Sequence, residues 1–164
     1  MIVRLSKLSL VAAVALFLTL VAVGNIADYG ANAQFVNHVL AMDTTFRSPN
    51  LMWRAVTDPV LQTIAYLSII LAEAASALLL WWGCLRLWHR RRGAAARFDA
   101  GKDVAVAGLS LAMLLWAVGF LAIGGEWFAM WQSQDWNGQD KAFALFACHG
   151  IVLLYLVQPD REPA

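Results

Sequence analysis

Glu73 is a lone carboxylate in the middle of an apolar run from Pro59 to Leu85. A charge near the centre of a bilayer costs about 2.5–3.5 kcal/mol or more, so such a group is neutralised, paired or turned towards protein. Its neighbours Ser68, Ala72, Ala75, Ser76 and Ala77 are small. Small residues let membrane helices close up, and buried hydroxyls bond across them. Glu73 is therefore expected to face protein, with Ser76 beside it. His149, inside a later apolar run, is the expected partner. At 1.5 Å per residue it lies roughly 15 Å from the membrane face that Glu73 lies roughly 20 Å from, and a carboxyl beside an imidazole can share one proton. Three roles fit Glu73: a structural acid that fixes helix register, a proton-relay or ligand group, and a contact for a partner subunit. His149 has a plain alternative too, a core histidine satisfied near Tyr155 or Ser110.

A second constellation belongs to one membrane face. It comprises Asn25 and Asp28, then His38 and Asp43, then Arg47 and Arg54, and finally Glu126 with Trp127, Trp131, Trp136 and Asn137. The expected role is an ionic latch in which Arg47 or Arg54 pairs with Glu126, Asp28 or Asp135. His38, Asp43 and Glu126 carry no recognised ligand spacing, so no metal is expected. No cofactor is expected either. A bis-histidine haem needs two facing histidines, and only His149 falls inside an apolar run, since His38 and His89 lie outside. A quinone site of Glu73, His149 and tryptophans has no specific signature. Cys84 and Cys148 form no C-x-x-C, which removes the basis for dithiol redox chemistry or structural zinc; they are expected to be small packing residues. The run Trp88-His89-Arg90-Arg91-Arg92 is short and membrane-proximal, suited to anionic lipid at about 1 kcal/mol per basic residue rather than to nucleic acid.

The elements that must position these residues are membrane helices. Of 164 residues, 61% are hydrophobic and 14% charged, the latter well below the ~25% usual in soluble domains. Mean hydropathy is +0.63. A net charge of +1 creates no field to attract nucleic acid. A bilayer span takes about 20 apolar residues, and four runs qualify: about 6–28, 59–88, 102–130 and 139–157. The expected fold is thus all-α, one polytopic four-helix membrane domain over 1–164. Asp58-Pro59 is a helix-start signal, and Gln158-Pro159 a stop. Ala31-Asn32-Ala33 fits a signal-peptidase site, yet the first apolar run is long for a signal sequence, and an uncleaved helix is the preferred reading.

Nine basic residues (Arg4, Lys7, Arg86, Arg90, Arg91, Arg92, Arg97, Lys102, Arg161) fall on one face and three (Arg47, Arg54, Lys141) on the other. The positive-inside rule then puts both termini and the basic loop 89–101 in the cytoplasm, in a bacterium at the inner membrane. Small multidrug exporters, with four short helices and a membrane glutamate, carry little such bias. Segment 29–58 is long for a bare loop. Phe35, Val36, Val39 and Leu40 recur at helical spacing, and Ser48-Pro49 suggests a second start, so a lid of two short helices joined at 43–45 is expected. Most of the eight tryptophans suit interfacial belts; Trp116 falls deep in the third run.

Two strings, Phe35-Val36-Asn37-His38-Val39-Leu40-Ala41-Met42-Asp43-Thr44-Thr45-Phe46 and Gly124-Gly125-Glu126-Trp127-Phe128-Ala129-Met130-Trp131, the latter followed by Trp136-Asn137-Gly138-Gln139, resemble the bacterial "predicted small integral membrane protein" family, whose function is unknown. The resemblance covers nearly the whole chain. It implies the four-helix fold and membrane location, and it brings no reaction, ligand or catalytic residue. The expectation that follows is a non-enzymatic accessory subunit acting through its outer face, with the lipid bilayer and other membrane subunits as partners. The alternatives are a small proton-coupled transporter using Glu73 and His149, and a quinone- or haem-associated oxidoreductase subunit.

Overall fold

The computed structural model describes residues 1–160; Arg161, counted above among the basic residues, lies outside the described residues. Helix α1 (Ile2–Ala27) runs into α2 (Tyr29–Ala41) with a break only at Asp28. A single 3-10 turn follows at Met52–Arg54. Helix α3 (Pro59–Arg90) is the longest, and α4 (Ala95–Asp99) is a short turn after it. Helix α5 (Asp103–Leu114) continues directly as a wide π-helix over Leu115–Trp127. Another 3-10 turn, Met130–Gln132, leads to α6 (Gln139–Val157). Four helical stretches are long and apolar enough to cross a membrane: α1, α3, α6 and the continuous stretch Ala95–Trp127. The fold is an all-helical, four-span integral membrane bundle.

Local chemistry sets several ends. Asp58 Oδ1 accepts from the amides of Val60 at 2.7 Å and Leu61 at 3.1 Å, and Pro59 needs no partner at the first helical position. Asn137 Oδ1 accepts from the Gln139 amide at 3.0 Å and so starts α6. The expected second lid helix reduces to the Met52–Arg54 turn. Its backbone is drawn back to α2 by the Val56 amide, which donates to the Leu40 carbonyl at 2.8 Å. The chain must also be extended before Pro59, which leaves no room for a longer helix.

The π-helix was not legible in the sequence. Its signature is a five-residue hydrogen bond, Phe128 N–H to the Ile123 carbonyl at 3.0 Å. Wide turns of this kind are rare and usually brief, and they occur often at functional sites.

Helix α3 packs on α1 along one side and on α5 along the other, while α6 closes the ring against α5, the π segment and α1. The shared core is Val11, Ala15, Leu18, Ala77, Leu80, Leu87, Leu109, Ala112 and Leu156, with Trp116 buried at its lid-side edge. Between α3 and α5 the backbones nearly touch. A Cβ on Gly83 would fall 2.7 Å from Ala105 Cβ and 2.9 Å from its backbone, and one on Gly108 would fall 2.9 Å from Leu80 Cγ. In lipid, close van der Waals fit of this kind drives helix association.

At the end where the chain's first and last described residues meet, three basic residues thought of above only as topology signals are buried. Arg4 pairs with Asp160, and its Nη1 donates to the carbonyls of Arg91 at 3.0 Å and Gly93 at 2.6 Å. Lys7 and Lys102 both donate to the Gln158 carbonyl, at 2.6 and 2.7 Å, and Lys102 also pairs with Asp99 at 2.6 Å. This knot ties α1, α3, α4, α5 and the end of α6 together. We call it the terminal end, and the opposite end, covered by α2, the lid end.

Gly83→Ala should force α3 and α5 apart and cost about 1–3 kcal/mol, the usual penalty of overpacking. Gly24→Ala, where no atom lies within 4 Å, should be neutral or slightly stabilising. Unfolding by sodium dodecyl sulfate in mixed micelles measures both, and equal curves for the two variants would refute the close-contact account.

Candidate functional site

The two strings singled out in the sequence meet at the lid end. Helix α2 stops at Met42, which turns left-handed (φ 52°), and Ala129 does the same (φ 52°) where the second string leaves the π segment. Left-handed backbone in non-glycine residues persists only when the surroundings fix it. Here both residues are buried in one cluster with Val39, Phe128 and Met130, flanked by Phe35, Leu40, Leu51, Met52 and Trp136. Polar bonds stitch the seam. Thr44 Oγ1 donates to Ser133 Oγ at 2.8 Å, which also accepts the Trp136 amide at 2.9 Å, and the Phe46 amide donates to Gln132 Oε1 at 3.0 Å. His38 lies flat on Trp136, 4.6 Å between centroids at 12°, while its Nδ1 meets Asp43 Oδ2 at 2.7 Å.

The expected ionic latch is not formed. Among the described residues neither Arg47 nor Arg54 pairs with Glu126, Asp28 or Asp135. Arg47 is exposed, and so are Asp28, Glu126 and Asp135. Arg54 instead stacks over Trp127 at 4.6 Å and Trp53 at 5.5 Å and donates to the Trp127 carbonyl at 3.4 Å. The weakly hydrated guanidinium prefers indole faces here to a solvated carboxylate. Trp53 also meets Trp127 edge-on at 5.6 Å, and Phe46 meets Trp131 at 5.9 Å. The lid is thus held by aromatic packing, amide bonds and the His38–Asp43 pair. Asn137 belongs to the start of α6, as above. Among the described residues no three His, Cys, Asp or Glu side chains converge as a metal centre would require.

Glu73 does face protein, with 2% of its surface exposed, but its partner is Asn25, assigned above to the face cluster. Asn25 Nδ2 donates to Glu73 Oε2 at 2.8 Å, and the Asn25 carbonyl accepts the Tyr66 hydroxyl at 2.9 Å. His149 is a correction. It is buried, no hydrogen bond joins it to Glu73, its Nδ1 has no partner, and Phe17 packs against it edge-on at 6.2 Å. Phe17 and Asn25 stand about 12 Å apart along α1, so the two groups occupy different levels. Depth counted from Pro59 misled because the first turns of α3 extend into the lid, where Tyr66 and Ile70 pack with Val36. Glu73 therefore sits near the lid end of α1, not at its middle. Ser76 is also corrected: its hydroxyl is spent on the Ala72 carbonyl at 2.7 Å in its own helix.

Sequence reasoning missed a cavity. It has a volume of about 260 Å³ and lies between the lid-side halves of α3 and the π segment, with α2 as its roof. Phe35, Val36 and Val39 come from α2, Ala65 and Ile69 from α3, and Gly119, Phe120 and Gly124 from the π segment. The available signal was a pair of glycines five apart, Gly119 and Gly124, within the third apolar run.

Glu73→Gln keeps an oxygen to accept from Asn25 and should cost less than about 1 kcal/mol. Glu73→Leu strands the Asn25 amide and should cost about 1–3 kcal/mol. Adding Asn25→Leu should recover most of that loss in the same micellar unfolding assay, and simple additivity of the two changes would rule out the pair.

No curated protein and no solved structure matches the chain. A family model described as "Predicted small integral membrane protein (DUF2165)" matches residues 3–159. Its span takes in the four membrane-crossing stretches and the docked lid, and the chain belongs to that family.

Proposed function

We propose that this chain is a non-enzymatic accessory protein of a bacterial inner membrane, with both termini cytoplasmic, and that it docks on a membrane complex through the rim of its lid. The observation that carries the reading is the pair of outward-facing aromatic couples. Phe46 is 72% exposed and Trp53 69%, beside Trp131 at 48% and Trp127 at 45%. These rings stand on a lid fixed by amide bonds and a buried cluster, so little order is lost on binding. Tryptophan and arginine are the residues that most often dominate interfaces, and Arg54 lies between two of the tryptophans.

The carrier alternative draws less support. Its two groups sit at different levels, and Glu73 is closed off by Asn25. The cavity is lined by apolar side chains and Ser68, and Glu73 is not among its walls. The oxidoreductase alternative has a single buried histidine within the spans, His149, packed on Phe17.

A photoreactive amino acid at position 46 or 53 should give the same discrete protein adduct in native membranes, and one at Leu20, on the lipid-facing side of α1, should not. Trp53→Ala should weaken recovery of that partner by about 30-fold, equivalent to a 2 kcal/mol hot spot. Adducts with lipid alone from positions 46 and 53 would sink the proposal. Orientation has its own test. Cysteines placed at Thr45 and Asp135 should react with an impermeant thiol reagent in intact cells, and one at the exposed Ala96 should react only after permeabilisation. The reverse pattern would invert the assignment.

A further inference from the structure

We propose that the cavity beneath α2 binds one hydrocarbon tail of a phospholipid, which enters sideways from the leaflet on the lid side and leaves its phosphate towards Arg54. The inference shares Arg54 with the docking reading but rests on the cavity, so the Gly119→Leu arm tests it apart from that reading.

Size and wall chemistry come first. At about 260 Å³ the space exceeds the ~150 Å³ apolar cavity that stays dry and binds benzene, so a tail segment of on the order of ten carbons fits. The one hydroxyl on its wall, Ser68, is already spent on the Ile64 carbonyl at 2.8 Å. Beyond the lone pairs of that hydroxyl, the wall's side chains offer a polar ligand no partner. The cavity lies between two membrane-crossing stretches, and its wall residue Ser68 is exposed, as are the neighbours Ile64 and Leu67. Its mouth therefore opens onto acyl chains rather than water.

The glycines give the second argument. Gly83 and Gly108 leave no room for a Cβ, but Gly119 and Gly124 do. The nearest atom to a Cβ on Gly119 would be Leu115 Cδ1 at 3.5 Å, and on Gly124 the Gly119 carbonyl at 3.4 Å. No glycine among the described residues has a positive φ. Neither helix contact nor backbone shape demands glycine at 119 and 124. Their effect is to keep the cavity open, in a setting where an unfilled space forfeits contacts on every wall.

Charge supplies the headgroup end. Arg54 holds the Trp127 carbonyl next to the wall residue Phe128. Its Nε is buried without a partner, and among the described residues it has no carboxylate. A phosphate would pair with the accessible edge of this guanidinium, whereas a neutral prenyl lipid would not.

The test uses the full chain in vesicles of phosphatidylglycerol and phosphatidylethanolamine with a trace of phosphatidylglycerol carrying a photoreactive tail. After illumination, adducts should concentrate on cavity residues such as Phe120, Ile123 and Ile69. Gly119→Leu should lower those adducts several-fold while labelling of the lipid-facing Leu16 and Leu20 is unchanged. Arg54→Gln should also lower them. Equal cavity labelling in Gly119→Leu and the unaltered chain, or cavity labelling no higher than at Leu16, would overturn the site. If Gly119→Leu fails to fold, a chase on the unaltered chain decides. Raising the labelled share of the vesicle lipid before illumination should saturate the cavity adducts while those at Leu16 and Leu20 keep rising. A parallel rise at all sites would overturn the site, and loss of the cavity adducts on adding a long-chain prenyl alcohol would overturn the phospholipid assignment.

Discussion

The backbone approach of α3 to α5, Gly83 against Ala105 with Leu80 against Gly108, decides what the rest can be. It clamps α3 to α5 on the terminal side of the midline, at a separation that admits no side chain. The two stretches then part towards the lid end, where α3 and the π segment barely touch. A gap between diverging helices in lipid must be roofed or filled. Helix α2 provides the roof, and it can do so because α1 passes into it with a single break at Asp28. The widened turns of the π segment, and glycines where side chains would otherwise project, leave the space beneath.

Much of the fold was readable because a bilayer reduces the choices. With no water to satisfy the backbone, an apolar run of sufficient length must be a helix, and four runs became four spans. The ends at Asp58-Pro59 and at Gln139 were legible for the same reason, since capping chemistry is local. The lid was legible in part. Phe35, Val36, Val39 and Leu40 do pack inward from one helix. The second lid helix was not found because its geometry is set by a distant bond, Val56 to Leu40, that no local pattern encodes.

The candidate site was less legible, and the misses share a cause. Helix registry is a property of pairs, and one chain read alone gives depth only by counting. Counting from Pro59 placed Glu73 beside His149, whereas the structure puts it beside Asn25. Charge complementarity also misled. Arg54 has exposed carboxylates elsewhere on the same face, and it lies on indole rings instead. Conversely, Arg4, Lys7 and Lys102 looked like ordinary cytoplasmic flags and proved to be buried structural groups. The lysines and arginines read as topology signals thus overlap with side chains the folded state uses directly.

That terminal knot has a consequence for how the protein is made. Arg4 is fixed by Asp160, 156 residues later in the chain, and Lys7 by the Gln158 carbonyl. A ribosome inserts α1 long before either partner exists. Until then Arg4 has only the Arg91 and Gly93 carbonyls beyond α3 to bond, and Lys7 stays solvated at the membrane surface or on lipid phosphates. Three spans can be in place and the molecule is still unlocked. The stretch beyond α6 supplies the carboxylate for Arg4 and the carbonyl for Lys7, and so completes the register of the first helix. A chain that has not yet reached this stretch lacks the carboxylate and carbonyl that hold Arg4 and Lys7, so the arrival of that stretch, rather than insertion of any one span, commits the bundle.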